Sequence, residues 1–192
     1  MKKSFKFLLS ICLISTSFAT SQEQNLNQFT SQSNIRWYGE ELTGVTHFGN
    51  LSFKEAQIKI QDGVISSGKF VVDMTSLTVE DLSGVGKAKL TAHLKSDDFF
   101  STEKHPEALL TITQKAKVEN GVQYLVGELS IKEIQHPIEF TMTLGDNNSA
   151  IAHLTFDRSK YEVRFRSGSF FENLGDKLIQ DDIKLEANLE WN

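Results

Sequence analysis

Hydrophobic and polar positions alternate with a period of two along most of this chain, the signature of strands with one buried and one wet face. The pattern is cleanest at the C-terminus, where Ile183, Leu185, Ala187, Leu189 and Trp191 alternate with Lys184, Glu186, Asn188 and Glu190. It recurs at Ile138, Phe140, Met142 and Leu144, interleaved with Glu139, Thr141 and Thr143, and at Ala150, Ala152, Leu154 and Phe156 around His153 and Thr155. Further strands are predicted over residues 34–39, 46–54, 56–61, 64–74, 108–118 and 122–132. Turn signals at Asp62-Gly63, Asn120-Gly121 and Gly145-Asp146-Asn147-Asn148 separate several of them. Their number and spacing predict an antiparallel all-β domain.

Two segments break the alternation. Over residues 85–95, Val85, Ala88, Leu90 and Leu94 fall near helical spacing, with Ser83 placed as an N-cap, so one short helix is predicted. Residues 159–180 carry Tyr161, Phe165, Phe170 and Phe171 without a clean period, interrupted by Gly168 and Gly175, and read as a long excursion before the last strand. No repeat or linker divides residues 33–192, so one core must absorb every strand. One-sided antiparallel strands either stack as a sandwich or close into a barrel, and a barrel of about eight strands has room for one small ligand. Alternation alone does not separate the two.

The N-terminus is different. Met1 to Lys6 carry three lysines and no acid, Phe7 to Phe18 are apolar apart from Ser, Thr and Cys12, and Ser17-Phe18-Ala19 offers a small-x-small cleavage pattern. Residues 1–19 are predicted to be a secretory signal peptide, too short in apolar length to span a bilayer as a helix. Residues 20–32 are polar and read as a flexible lead-in. The expected location is the periplasm or the exterior, with no stable membrane insertion; a homodimer is left open.

Charge and cysteine content narrow the chemistry. Twenty basic residues against twenty-five acidic ones give a formal charge of −5, and no basic stripe exists to track nucleic-acid phosphates. Loss of Lys2, Lys3 and Lys6 with the leader leaves seventeen basic residues and a mature charge of −8. Cys12, the single cysteine, lies inside the leader, which excludes a disulfide framework, a cysteine zinc site and a Cys–His catalytic pair from the mature chain.

Sharper chemistries find little support. His47, His93, His105, His136 and His153 lack the spacing that puts two imidazoles on one helical face. His47 is nevertheless the histidine to watch. Asp97-Asp98 and Asp181-Asp182 resemble acid–base pairs, but adjacent residues of a strand face opposite ways and turn aspartates cap backbone amides, which is the role expected of Asp97. Asp157 and Arg158 are expected in structural ion pairs. No Gly-x-Ser-x-Gly elbow is present, and Gly84-Val85-Gly86-Lys87 is too short for a phosphate loop. Neither catalytic residues, nor metal ligands, nor a cofactor are assigned.

One segment carries a family resemblance. His93-Leu94-Lys95-Ser96-Asp97-Asp98-Phe99-Phe100, followed by Pro106, resembles the helix end and Ser-x-Asp-Phe-Phe turn of the YceI-like family of exported bacterial proteins. Trp37, Gly39, Gly44, His47 and Gly49 precede it in the family order; Gly127, Leu129, Ile131, Lys132, Asp157-Arg158, Tyr161, Gly175-Asp176, Asp181, Ile183 and Leu185 follow. The chain departs at Glu133, where the family usually has Gly, and at Ala108-Leu109-Leu110, where an aromatic is common.

The resemblance implies an extended lipocalin-like antiparallel β-barrel of eight strands whose apolar lumen holds a long-chain isoprenoid or related amphiphilic lipid, for transport, storage or protection. The expected lining is Leu51, Phe53, Phe70, Val72, Met74, Leu110, Ile112, Phe140, Met142, Leu154 and Phe156. Arg164 and Arg166 are candidate partners of an anionic headgroup. The alternatives are a secreted β-sandwich interaction module with a solid core and a quinone- or metal-dependent enzyme.

Overall fold

The computed structural model describes residues 27–192. Its strands are β1 (Asn27–Gln28), β2 (Asn34–Glu40), β3 (Thr46–Gln61), β4 (Val64–Asp73), β5 (Glu107–Ile112), β6 (Lys117–Glu119), β7 (Val122–Ile131), β8 (Ile134–Gly145), β9 (Ser149–Asp157) and β10 (Asp182–Glu190). Among the described residues there is one α-helix, α1, which spans Gly84–Lys95 between β4 and β5. All pairings are antiparallel. The order β3-β2-β10-β9-β8-β7-β5-β4 returns to β3 through a further β3–β4 ladder, so eight strands close into a barrel. Closure removes the sheet edges that a sandwich would leave, and it overturns the solid-sandwich alternative.

The alternation read in the sequence becomes inside and outside. β7 buries Gln123, Leu125, Gly127, Leu129 and Ile131 and turns Tyr124 and Glu128 outward, and β9 buries Ala150, Ala152, Leu154 and Phe156 in the same way. Where two strands were expected over residues 46–61, one long strand runs through, with the register shifting between Phe53 and Glu55 and again between Lys59 and Ile60. Each shift bends the strand and lets it wrap the barrel. The strand expected over 108–118 ends at Ile112, and Lys117–Glu119 pairs separately with β7.

Tight hairpins set the registers. Asp62 and Gly63 join β3 to β4 at φ of 53° and 74°, and Asn120 and Gly121 join β6 to β7 at 51° and 81°, the paired positive values of a two-residue hairpin turn. Lys132 and Glu133 make the β7–β8 turn in the same conformation, at 52° and 64°, with no glycine. Gly49 meets a different demand. A Cβ there would lie 1.8 Å from the Thr78 carbonyl oxygen, because the segment after β4 crosses directly over β3.

The two ends of the barrel are closed differently. At the β3–β4 hairpin end, Ile58, Ile65, Ile112 and Leu125 fill the interior, and buried Gln123 accepts from the Ile65 amide and donates to the Gly63 carbonyl. Phe29 stacks on Phe70 and meets Trp191 edge-on, while Asn27 and Gln28 pair with β3. The lead-in expected over 20–32 is thus part of the barrel from residue 27, because the one aromatic of that polar stretch caps apolar side chains that would otherwise face water. Residues 1–26, which include the expected leader, lie outside the described residues.

The opposite end is covered by α1 and by the excursion between β9 and β10. The helix uses its Leu90, His93 and Leu94 face, at helical spacing, against the barrel. Val85, expected on that face, is exposed, and Ser83 makes no side-chain cap; its carbonyl instead accepts from Lys87. Asp97 does not cap backbone amides either. Its oxygens take the Ser101 hydroxyl and the Lys104 ammonium.

Arg158 organises the excursion. Its guanidinium has no exposure at all, and donates to the carbonyls of Gln180, Val163, Phe165 and Ile179 at 3.0 to 3.2 Å. Asp181 completes the set with Oδ1 at 3.1 Å from Nη2. Burial pushes the Arg158 pKa down from its ordinary value, opposed by the charges of Asp181 and Asp157. The second Asp181 oxygen accepts from Ser167 and Ser169, so one ion pair ties both ends of the excursion together. Asp157, expected in an ion pair, instead caps the following turn by accepting from the Ser159 amide.

Candidate functional site

Between the sealed end and the lidded end the barrel is hollow. Two cavities lie in series along its interior, of about 190 Å³ and about 70 Å³. They share Ile35, Val72, Ala108, Leu129 and Leu185, which form the constriction between them. The smaller cavity lies toward the sealed end and is walled by side chains that include Phe53, Phe70, Phe140, Met142 and Leu154. The larger lies under the lid, against Leu77, Leu90, Phe99, Phe100, Phe165 and Ile179.

Polar groups occur only at one end of this space. Glu40, Glu41, His47, His93 and Arg166 border the larger cavity, and the smaller one has none. Such a cavity rewards a long apolar chain with one polar terminus. Burial of apolar surface contributes about 25 cal/mol per Å² and asks for no directional contact.

The geometry at the mouth is specific. His47 faces inward from β3 opposite Gly39, and its Nδ1 lies 2.7 Å from Asp81 Oδ2. Asp81 Oδ1 accepts from the Phe48 amide at 3.0 Å. Burial pushes the Asp81 carboxyl up, but hydrogen bonds from the His47 ring and from the backbone amides of Phe48 and Asp81 outweigh it and hold the pKa below the ordinary carboxylate value. Trp37 donates through its indole N–H to the Thr78 carbonyl at 3.0 Å, and together with the Asp81 contacts and the backbone bonds from Thr78 to Asn50 and from Glu80 to Phe48 this pins the segment before α1 to the barrel wall. His93 sits edge-on to Phe99 and Phe165 at 5.0 and 4.4 Å and joins helix to lid.

Leu51, Phe53, Phe70, Val72, Met74, Leu110, Phe140, Met142, Leu154 and Phe156 line one cavity or both. Ile112 does not. Its side chain lies against Gly68, whose missing Cβ would sit 2.8 Å from it, and it helps to fill the sealed end. The two candidate headgroup arginines separate as well. Arg166 borders the larger cavity, whereas Arg164 points away from it, paired with Glu162 and lying over the Phe170 ring.

Several lining residues escaped the strand-by-strand reading. Ile35, Trp37, Leu129, Ile131, Ile183 and Leu185 carry the same inward phase and needed only barrel closure to be recognised. Phe99, Phe100, Phe165 and Ile179 lie outside strands, and no periodicity marks them. Among the described residues no three His, Cys, Asp or Glu side chains gather as a metal site requires.

A lidded, closed antiparallel barrel around an apolar lumen defines the lipocalin-like class of β-barrels. The chain belongs to the YceI-like family, whose domain matches it over residues 26–191. A UPF0312 protein of Shewanella denitrificans is 31% identical over 90 residues, a stretch covering 47% of this chain and 41% of that relative's length. BcnA of Burkholderia cenocepacia superposes with a TM-score of 0.65 at 17% identity, over 82% of this chain and 95% of that one. A polyisoprenoid-binding domain from Saccharophagus degradans, implicated in plant cell wall breakdown, does so with a TM-score of 0.55 at 14% identity, covering 87% and 98% of the two chains. At these identities the likeness is one of fold.

Proposed function

We propose that the lumen holds a polyisoprenoid or a similar long-chain amphiphile, chain inward and polar end at the mouth, and that the protein carries, stores or shields this lipid after export. The observation that carries the reading is the pair of cavities in series, walled by apolar side chains and bordered by polar ones only at the lidded end. The polyisoprenoid-binding domain that shares the fold supports the choice of lipid. The basic, then apolar, N-terminus supports export to the periplasm or the exterior.

The protein acts in this reading by binding and not by catalysis. The polar groups at the mouth orient and select a headgroup, and the lid excludes water from the chain. Mass spectrometry of an organic extract from gently purified protein, beside a mock extract, tests this directly. A polyprenyl or quinone species at one per protein is the expected result. An empty extract, together with failure of added isoprenoids to bind, would contradict it.

A further inference from the structure

We infer that His47, held by Asp81, is a hydrogen-bond acceptor at the mouth of the lumen and selects lipids whose polar end is a hydroxyl group. The inference rests on the carrier reading above and names the class of headgroup.

Proton bookkeeping on the dyad gives the direction of the bond. An ionised carboxylate has no proton to donate, and Asp81, held below its ordinary pKa, also takes the Phe48 amide. The contact at 2.7 Å therefore places a ring proton on His47 Nδ1. In the neutral ring, Nε2 is then left with its lone pair. It has no hydrogen-bond partner among the described residues, and His47 borders the larger cavity. A lone pair there accepts from a hydroxyl and has nothing to give to an ether oxygen, a ketone or a phosphate.

The surroundings agree with this choice. Glu40 and Glu41 border the same mouth, against the single cation Arg166, and this balance disfavours a dianionic phosphate. Gly39, paired with His47 across β2 and β3, presents no side chain beside the ring and leaves room for a headgroup. The alternative role for the dyad is purely structural, holding the segment before α1 against β3. That role is indifferent to what the ligand carries.

The test is equilibrium binding of geranylgeraniol, its methyl ether and geranylgeranyl diphosphate, by displacement of a fluorescent lipid. Wild type is expected to bind the alcohol about five- to tenfold more tightly than the ether, the worth of one hydrogen bond, and the diphosphate most weakly. H47F is expected to lose the discrimination and bind alcohol and ether alike. D81N provides the second variant, since the Asn can still accept from the Phe48 amide. Its amide donates to Nδ1, moves the ring proton to Nε2, and removes the preference for the alcohol without removing the ring.

Equal binding of alcohol and ether by wild type would overturn the inference while leaving the carrier reading intact. So would tightest binding of the diphosphate, or an alcohol preference that survives in D81N. Failure of all three lipids to bind would overturn the carrier reading, and the inference with it.

Discussion

At the hairpin end of the barrel Ile58, Ile65 and Leu125 are almost wholly buried and pack against one another, whereas at the lidded end Leu90, Phe100 and Phe165 are half-buried around a void. Strands with the same alternation feed both ends. What differs is the source of the closing side chains. The hairpin end is filled from the strands themselves, helped by Phe29 and Trp191, so its side chains meet at barrel radius. The lidded end is roofed by residues of α1 and of the β9–β10 excursion, carried on backbone that stands clear of the wall. Inward-pointing apolar residues therefore make a core where the strands converge and a lumen where something else holds the roof up.

The largest effect is expected where the roof is tied down. Arg158→Met removes the donors that serve four carbonyls and leaves Asp181 without its cation, and should cost about 3–5 kcal/mol in chemical denaturation. A Lys at this position should recover little of it, because a point charge cannot reproduce the guanidinium fork.

Paired truncations sharpen the contrast between the ends. Leu125→Ala, at 1% exposure in the sealed end, should cost about 2–5 kcal/mol with little effect on lipid uptake. Leu90→Ala borders a void that already exists, and should cost under about 1 kcal/mol while changing uptake. Equal costs at the two sites would erase the distinction drawn between core and lumen.

Glu133→Gly sets a turn against its own chemistry. Glu133 occupies a φ of 64°, where a Cβ is strained, and glycine there should raise stability by about 1 kcal/mol in urea unfolding.

The smallest effect concerns pH. The folded pKa of Asp81 is lowered, so the stability it adds is fully present above the unfolded carboxyl value near 3.9 and is lost as pH falls through the folded value. The stability difference between wild type and D81N should accordingly shrink on acidification below about pH 4.

How much of this was legible in the chain depends on the kind of residue. Period-two alternation located every barrel strand, since an inward residue must be apolar whichever neighbour it meets. It could not locate the two register shifts of β3, which depend on curvature. Of the lining, Phe140 and Met142 were visible because strands signal their inward face, whereas Phe99, Phe165 and Ile179 were not, because a roof made of turns has no period. Arg158 is the clearest case. A structural ion pair was expected of it and forms with Asp181, but no pattern in the chain marks the four carbonyls that converge on its buried guanidinium. Phe29 was lost in a polar stretch for the opposite reason, a single aromatic being too sparse a signal to mark a strand.

The central claim is that the two cavities form one lumen that accepts a chain from the mouth inward. Affinities of geraniol, farnesol and geranylgeraniol for the wild-type protein test it most directly. The account predicts affinity that rises with each added isoprene unit as the chain passes the Ile35, Val72, Ala108, Leu129 and Leu185 constriction, and a loss of that rise in the Phe140→Glu, Met142→Glu double variant. Affinities independent of chain length, or a folded double variant that binds all three as wild type does, would contradict it.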